Sequence, residues 1–125
     1  MLKNRKSDSG PTVIIGCVLN TDTNHFLSEI IFGLEEEEIP FIVEKQDDND
    51  LICDTVESAY NMALRSSLAV GIFIGRDKEI VLHHKKLPPK QPYFYLEPNE
   101  VNLDKARRIG TNAGRIVKRL PLLDI

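Results

Sequence analysis

Apolar and polar positions alternate along the chain in a pattern that predicts eight elements in the order β-α-β-α-β-β-β-α. Thr12 to Val18 is a continuous apolar run rich in β-branched residues, bounded by Pro11 and Asn20, and reads as a buried strand. Asn20 to Asn24 is polar and full of N-cap candidates. Phe26, Leu27, Ile30, Ile31 and Leu34 then mark one face of a helix that Pro40 stops. Phe41 to Glu44 is a short second strand, and Gln46 to Asp50 a polar loop with Asp50 as a cap. Ile52, Val56, Ala59 and Ala63 give the second helix its buried face. Leu68 to Ile74 is another buried strand, and Gly75 to Lys78 a tight turn into Glu79 to His83, hence a hairpin. Leu87 to Pro92 holds three prolines and excludes both helix and central strand. Tyr93 to Leu96 is the last strand, and the final helix follows Pro98 and Asn99 and ends at Pro121.

Early alternation followed by a hairpin predicts an α/β fold, a mixed sheet flanked by helices. A chain of 125 residues with 42% apolar content suits one domain, expected over 12–125 after a flexible lead-in at 1–11. No apolar run is long enough to span a membrane, and the first residues lack the apolar core of a secretory signal. Cys17 and Cys53 make no disulfide framework, are expected as buried free thiols, and point to a cytoplasmic location.

Net charge is only -3, but the signs are segregated. Glu35 to Glu38 with Asp47, Asp48 and Asp50 make the first half acidic; Lys105, Arg107, Arg108, Arg115, Lys118 and Arg119 make the last helix basic. This asymmetry fits either complementarity to a protein partner or two solvated faces. Four carboxylates at the carbonyl end of the first helix oppose its dipole, each by about 0.3–1 kcal/mol. They are either a solvated run or partners for a cation: Arg or Lys of another chain, or a hard metal such as magnesium. Gly33, just before them, would let another backbone come close.

The last helix carries a seam of small residues, Gly110, Ala113 and Gly114, beside a stripe of Ala106, Ile109, Ala113, Ile116, Val117 and Leu120. Glycine in a helix interior costs about 1 kcal/mol relative to alanine. The seam therefore implies close approach, either of the helix to its own sheet or of a partner.

Catalytic motifs are absent. No GxxxxGK(S/T) loop, GxGxxG turn, GxSxG or HExxH occurs. His83 and His84 are neighbours on a strand, point to opposite faces, and with His25 are expected at the surface or on an edge strand rather than around a metal. Aromatics are 6% of the chain and form no stacking motif, so nucleic acid is not an expected partner despite the basic helix.

Several segments resemble one family. Phe32-Gly33-Leu34-Glu35-Glu36 with Ile39-Pro40 is similar to the first-helix signature of small subunits of diol or glycerol dehydratase reactivating factors. Leu68 to Ile74, Lys78 to His83 and Lys86-Leu87-Pro88 resemble that family's strand, hairpin and proline segment. Arg107 to Lys118, followed by Leu120-Pro121-Leu122, resembles its last helix. The likeness runs over about residues 12–123.

The resemblance implies an anticodon-binding-domain-like, dehydratase-medium-subunit-like fold and a role without catalysis. Such factors rescue adenosylcobalamin-dependent dehydratases. A large ATP-hydrolysing subunit carries the nucleotide, and the small subunit trades places with a dehydratase subunit so that damaged cobalamin leaves. It implies no cofactor of this chain's own, and a magnesium ion shared with the large subunit through Glu36, with Glu35 and Glu37 as the neighbours an alignment slip would select. It also implies a partner interface at Gly33, Glu35, Glu36, Arg108, Gly110, Asn112 and Arg115. One rival reading is part of a dehydratase medium subunit that binds cobalamin; another is an RNA-binding module using the basic helix. Self-association, association with a bacterial microcompartment, and the choice between diol and glycerol dehydratase stay open.

Overall fold

Five strands form one mixed sheet in the order β2-β1-β3-β4-β5 in a computed structural model that describes residues 10–19, 23–47 and 53–125. The elements are β1 (Val13–Val18), α1 (Asn24–Glu36), β2 (Phe41–Gln46), α2 (Thr55–Arg65), β3 (Val70–Ile74), β4 (Ile80–His84), β5 (Phe94–Leu96) and α3 (Leu103–Lys118), with a short 3-10 turn at Pro98–Glu100. The expected order and fold class are both found. β1 pairs in parallel with β2 and β3, and the β3-β4-β5 meander is antiparallel.

Burial explains the apolar runs. β1 and β3 are covered on both faces and are buried throughout. Val13, Ile15 and Cys17 of β1, with Val70, Ile72, Ile74, Ile80 and Leu82, face α1 and α3. Ile14, Val18, Phe73 and Val81 face α2. The chain leaves β1 toward β2 and returns across it to β3. Right-handed crossovers in these opposite directions put α1 and α2 on opposite faces.

Boundaries moved where side chains act on the backbone. The expected cap Asp50 and the expected buried-face residue Ile52 lie outside the described residues, as do Asn20 to Asp22 and most of the lead-in. Asp54 caps α2, its carboxylate accepting from the Glu57 amide at 2.8 Å. β2 runs on to Gln46, paired throughout with β1. Leu68 and Ala69 are not strand: Ser66 turns them, and Ala69 takes a positive φ of 67°.

α3 ends before Pro121. Arg119 adopts a left-handed conformation (φ 61°), and Leu120 and Arg119 donate back to the carbonyls of Arg115 (2.9 Å) and Ile116 (3.2 Å). That closure is the Schellman pattern, at a cost of about 1 kcal/mol for a residue other than glycine. Leu120 therefore leaves the expected apolar stripe and is exposed.

Candidate partner-binding face

α1 and α3 pack side by side on the sheet, and glycines set their distance. A Cβ on Gly110 would sit 2.0 Å from the carbonyl oxygen of Ile30, and one on Gly33 would sit 2.5 Å from the Arg107 oxygen and the Thr111 nitrogen. A Cβ on Gly114 would meet the Glu37 side chain at 2.6 Å. The two glycines of the seam are thus turned to the first helix, while Ala113 joins the core. The seam receives α1 of the same chain, and Gly33 is its counterpart.

The close crossing brings the acidic end of α1 against the basic helix. Glu36 and Glu37 of the acidic run pair with cations of the basic helix, so these parts of the two regions form one face. Glu37 lies 2.7 Å from Lys118 Nζ and 3.5 Å from Arg115 Nε. The Lys118 hydrogen bond, aided by the charge of both cations, holds the Glu37 carboxyl below its ordinary pKa. Arg107 lies 3.4 Å from both Glu29 and Glu36, and its guanidinium stands 5.5 Å over the ring of Phe32. The cations that relieve the unfavourable helix end are therefore supplied from within the chain.

The expected interface residues divide into two groups. Glu35, Glu36, Arg108 and Arg115 retain solvent exposure, whereas Gly33, Gly110 and Asn112 are buried. Three of the seven hold the segment after α3. Arg108 Nη1 donates to the Asp124 oxygen at 2.8 Å and Arg115 Nη1 to the Pro121 oxygen at 3.0 Å. Asn112 donates to the Leu123 oxygen at 2.9 Å and accepts from the Leu123 amide at 2.7 Å.

Sequence reasoning missed Phe32 and Glu29 as part of this face. Both stand on α1 with Glu36 at helical spacing, so an exposed aromatic three residues from a carboxylate was the available signal. Phe32 remains 45% exposed even with Arg107 over its ring, large for an aromatic side chain.

The α2 side differs. His83 is fully buried, not at the surface or an edge. Its Nδ1 accepts from the His84 amide at 2.9 Å, which leaves Nε2 as the N–H that donates to the Pro89 oxygen at 2.9 Å. Tyr60 packs beside it with ring centroids 5.0 Å apart. The neutral ring pins the proline segment to β4 and shapes an open groove of about 620 Å³ lined by Asp54, Tyr60, Asn61 and Lys90 among others. Asp54 there is engaged as the α2 cap. Cys53 is only half-buried, in contrast to the expected burial; Cys17 is buried, and desolvation raises its thiol pKa.

Glu36 is the carboxylate expected to meet magnesium. It is 60% exposed, and its 3.4 Å contact with Arg107 is long, so the carboxylate can turn outward. Glu37 is committed to two cations at 14% exposure. Among the described residues no cluster of three or more His, Cys, Asp or Glu could hold a metal ion.

The chain is thus a small α/β domain whose first helix offers carboxylates beside an exposed aromatic, braced by a basic third helix. The chain belongs to the dehydratase medium subunit family, whose model matches residues 10–123. Within it, the chain is similar to reactivating-factor small subunits. It is 36% identical to the propanediol dehydratase-reactivating factor small subunit of Salmonella typhimurium, covering 94% of each chain. It is 33% identical to the diol dehydratase-reactivating factor small subunit of Klebsiella michiganensis, covering 94% of this chain and 87% of that one. Among solved structures it matches a chain of a diol dehydratase-reactivating factor complexed with ADP and Mg2+, with a TM-score of 0.78, 33% identity, and coverage of 92% of this chain and 99% of that one. A glycerol dehydratase reactivase chain matches with a TM-score of 0.82, 30% identity, and coverage of 92% and 98%. Among the described residues no helix is long and apolar enough to cross a membrane.

Proposed function

We propose that this chain is the small subunit of a reactivating factor for an adenosylcobalamin-dependent diol or glycerol dehydratase. It acts as an accessory subunit without catalysis of its own. It binds a large ATP-hydrolysing subunit and, in exchange, dehydratase subunits, so that damaged cobalamin is released. The observation that carries this reading is the likeness to reactivating-factor small subunits over 94% of the chain, with the sheet and helices superimposing on reactivase chains.

The working surface in this proposal is the outer side of α1 with the adjoining row of α3. Phe32 supplies apolar area, Arg107 a planar cation, and Glu35 and Glu36 carboxylates. Gly33, Gly110 and Asn112 shape that surface from beneath. Exchange between two partners requires comparable affinities for both, so the charged rim serves orientation more than strength. Magnesium, when bound, would join Glu36 to the large subunit; Glu36 is favoured over Glu37 because Lys118 and Arg115 already occupy the latter.

Glu36→Ala should weaken magnesium-dependent association with the large subunit by about tenfold, or 1.4 kcal/mol. Titration calorimetry with and without magnesium measures this. Equal affinities for parent and variant in both conditions would remove the assignment. The family's description as a dehydratase medium subunit supports a second reading, cobalamin binding within a dehydratase. Retention of cobalamin by the purified chain, followed by its visible spectrum, would favour that second reading.

A further inference from the structure

Residues 121–125 lie back along α3, and the way they are held is unusual. Arg108, Asn112 and Arg115 stand at i, i+4 and i+7 on one face of the helix. All four of their hydrogen bonds to the segment go to main-chain groups: the oxygens of Pro121, Leu123 and Asp124, and the Leu123 amide. Asn112 is fully buried and engages both main-chain groups of Leu123, as a neighbouring strand would. Ile125 packs against the core shared by α1, α3 and the sheet. Recognition thus depends on main-chain groups with an apolar residue at the Ile125 position, not on the identity of the side chains between. The hinge of the segment is Arg119, a non-glycine residue in the left-handed region, and the next two residues are exposed.

We propose that the Arg108–Asn112–Arg115 row is a peptide site that reads main chain. Residues 121–125 fill it in cis, and an extended apolar segment of a partner protein takes it when they lift. The site adjoins Arg107 on the same helix, which stands over Phe32 of α1. The proposal deepens the reading of the chain as a docking subunit by naming what its third helix would grasp. A subunit that changes partners gains from such a seat: its own segment covers buried polar Asn112 while no partner is present.

The test uses the full chain carrying Leu123→Pro, which removes the amide that Asn112 accepts from. An acetylated Pro-Leu-Leu-Asp-Ile peptide is titrated in and the backbone amides of α3 are followed by NMR. The variant should show saturable shifts around residue 112. The parent should need about tenfold more peptide, because its own segment competes. Adding Asn112→Ala should abolish the response. No saturable shift in folded Leu123→Pro, an equal response in the parent, or a response that survives Asn112→Ala overturns the proposal. Should Leu123→Pro fail to fold, hydrogen exchange on the unaltered chain decides instead. The Leu123 amide should exchange by local opening, about a hundredfold faster than that of Ile15. Exchange of both at one rate means the segment leaves only on global unfolding, and the peptide site falls. Neither measurement involves a large subunit or a dehydratase, so failure here is distinct from failure of the reactivase reading.

Discussion

The two faces of the sheet solve the same packing problem with different chemistry. On one face two helices lie together, brought close by Gly33 and Gly110, and the gap above them is bridged by ion pairs of Glu29, Glu36 and Glu37 with Arg107, Arg115 and Lys118. On the other a single helix, α2, settles on the sheet beside a neutral, fully buried histidine. The glycines there are in strands: a Cβ on Gly71 would lie 2.3 Å from the Ala63 nitrogen, and one on Gly16 3.1 Å from the Met62 sulfur. The first face is closely packed in its backbone and charged at its rim, which suits reversible docking. The second combines the His83 hydrogen bond with an ion pair of its own, between Arg65 of α2 and Glu44 of β2.

The comparison breaks most readily at Gly110. Gly110→Ala puts a Cβ against the Ile30 carbonyl, a backbone atom that cannot rotate away, and should cost about 3 kcal/mol despite the better helix propensity of alanine. A lowered urea midpoint with an unchanged slope would show it; an unchanged midpoint would mean that α1 and α3 separate freely.

On the opposite face His83→Ala removes the Pro89 hydrogen bond, strands the His84 amide and leaves a cavity beside Tyr60. A loss of about 2–3 kcal/mol is expected by chemical denaturation, with little dependence on salt. Asp54→Ala deletes the α2 cap for about 1 kcal/mol. Asp54→Asn should recover most of that in the same denaturation measurement, since an amide oxygen also caps.

The smallest effect belongs to the charged rim. Glu37→Gln should cost about 0.5 kcal/mol near neutral pH, since the pairs are partly exposed. The Glu37 pKa is lowered in the folded chain, so its contribution is complete above the ordinary carboxylate pKa and lost as pH falls through the lowered folded value. Parent and variant should therefore converge in acid. Raised salt should shrink the difference as well, and a gap that persists at low pH would assign the effect to packing.

Much of this protein is legible in its sequence because strands and helices follow local periodicity. The β-branched run before Asn20, the helix face of Leu27, Ile30 and Leu34, and the turn at Gly75 each identify an element without reference to any other. The likeness to reactivating-factor subunits was legible too, since its motifs are continuous in the chain. Hidden from view were the relations between distant segments. Nothing local to Gly110 says that its neighbour is Ile30 rather than a sheet or a partner. His83 reads as an ordinary polar residue until Pro89 is folded over it. The carboxylates at the end of α1 looked unbalanced because Arg107, Arg115 and Lys118 lie some seventy or more positions along the chain from them. Period and composition are set by neighbours a few residues apart, and so the sequence alone determined the elements and their buried sides. Only tertiary packing, which joins α1 to α3 across the sheet, decided which glycines touch, which charges pair and which carboxylate remains outward.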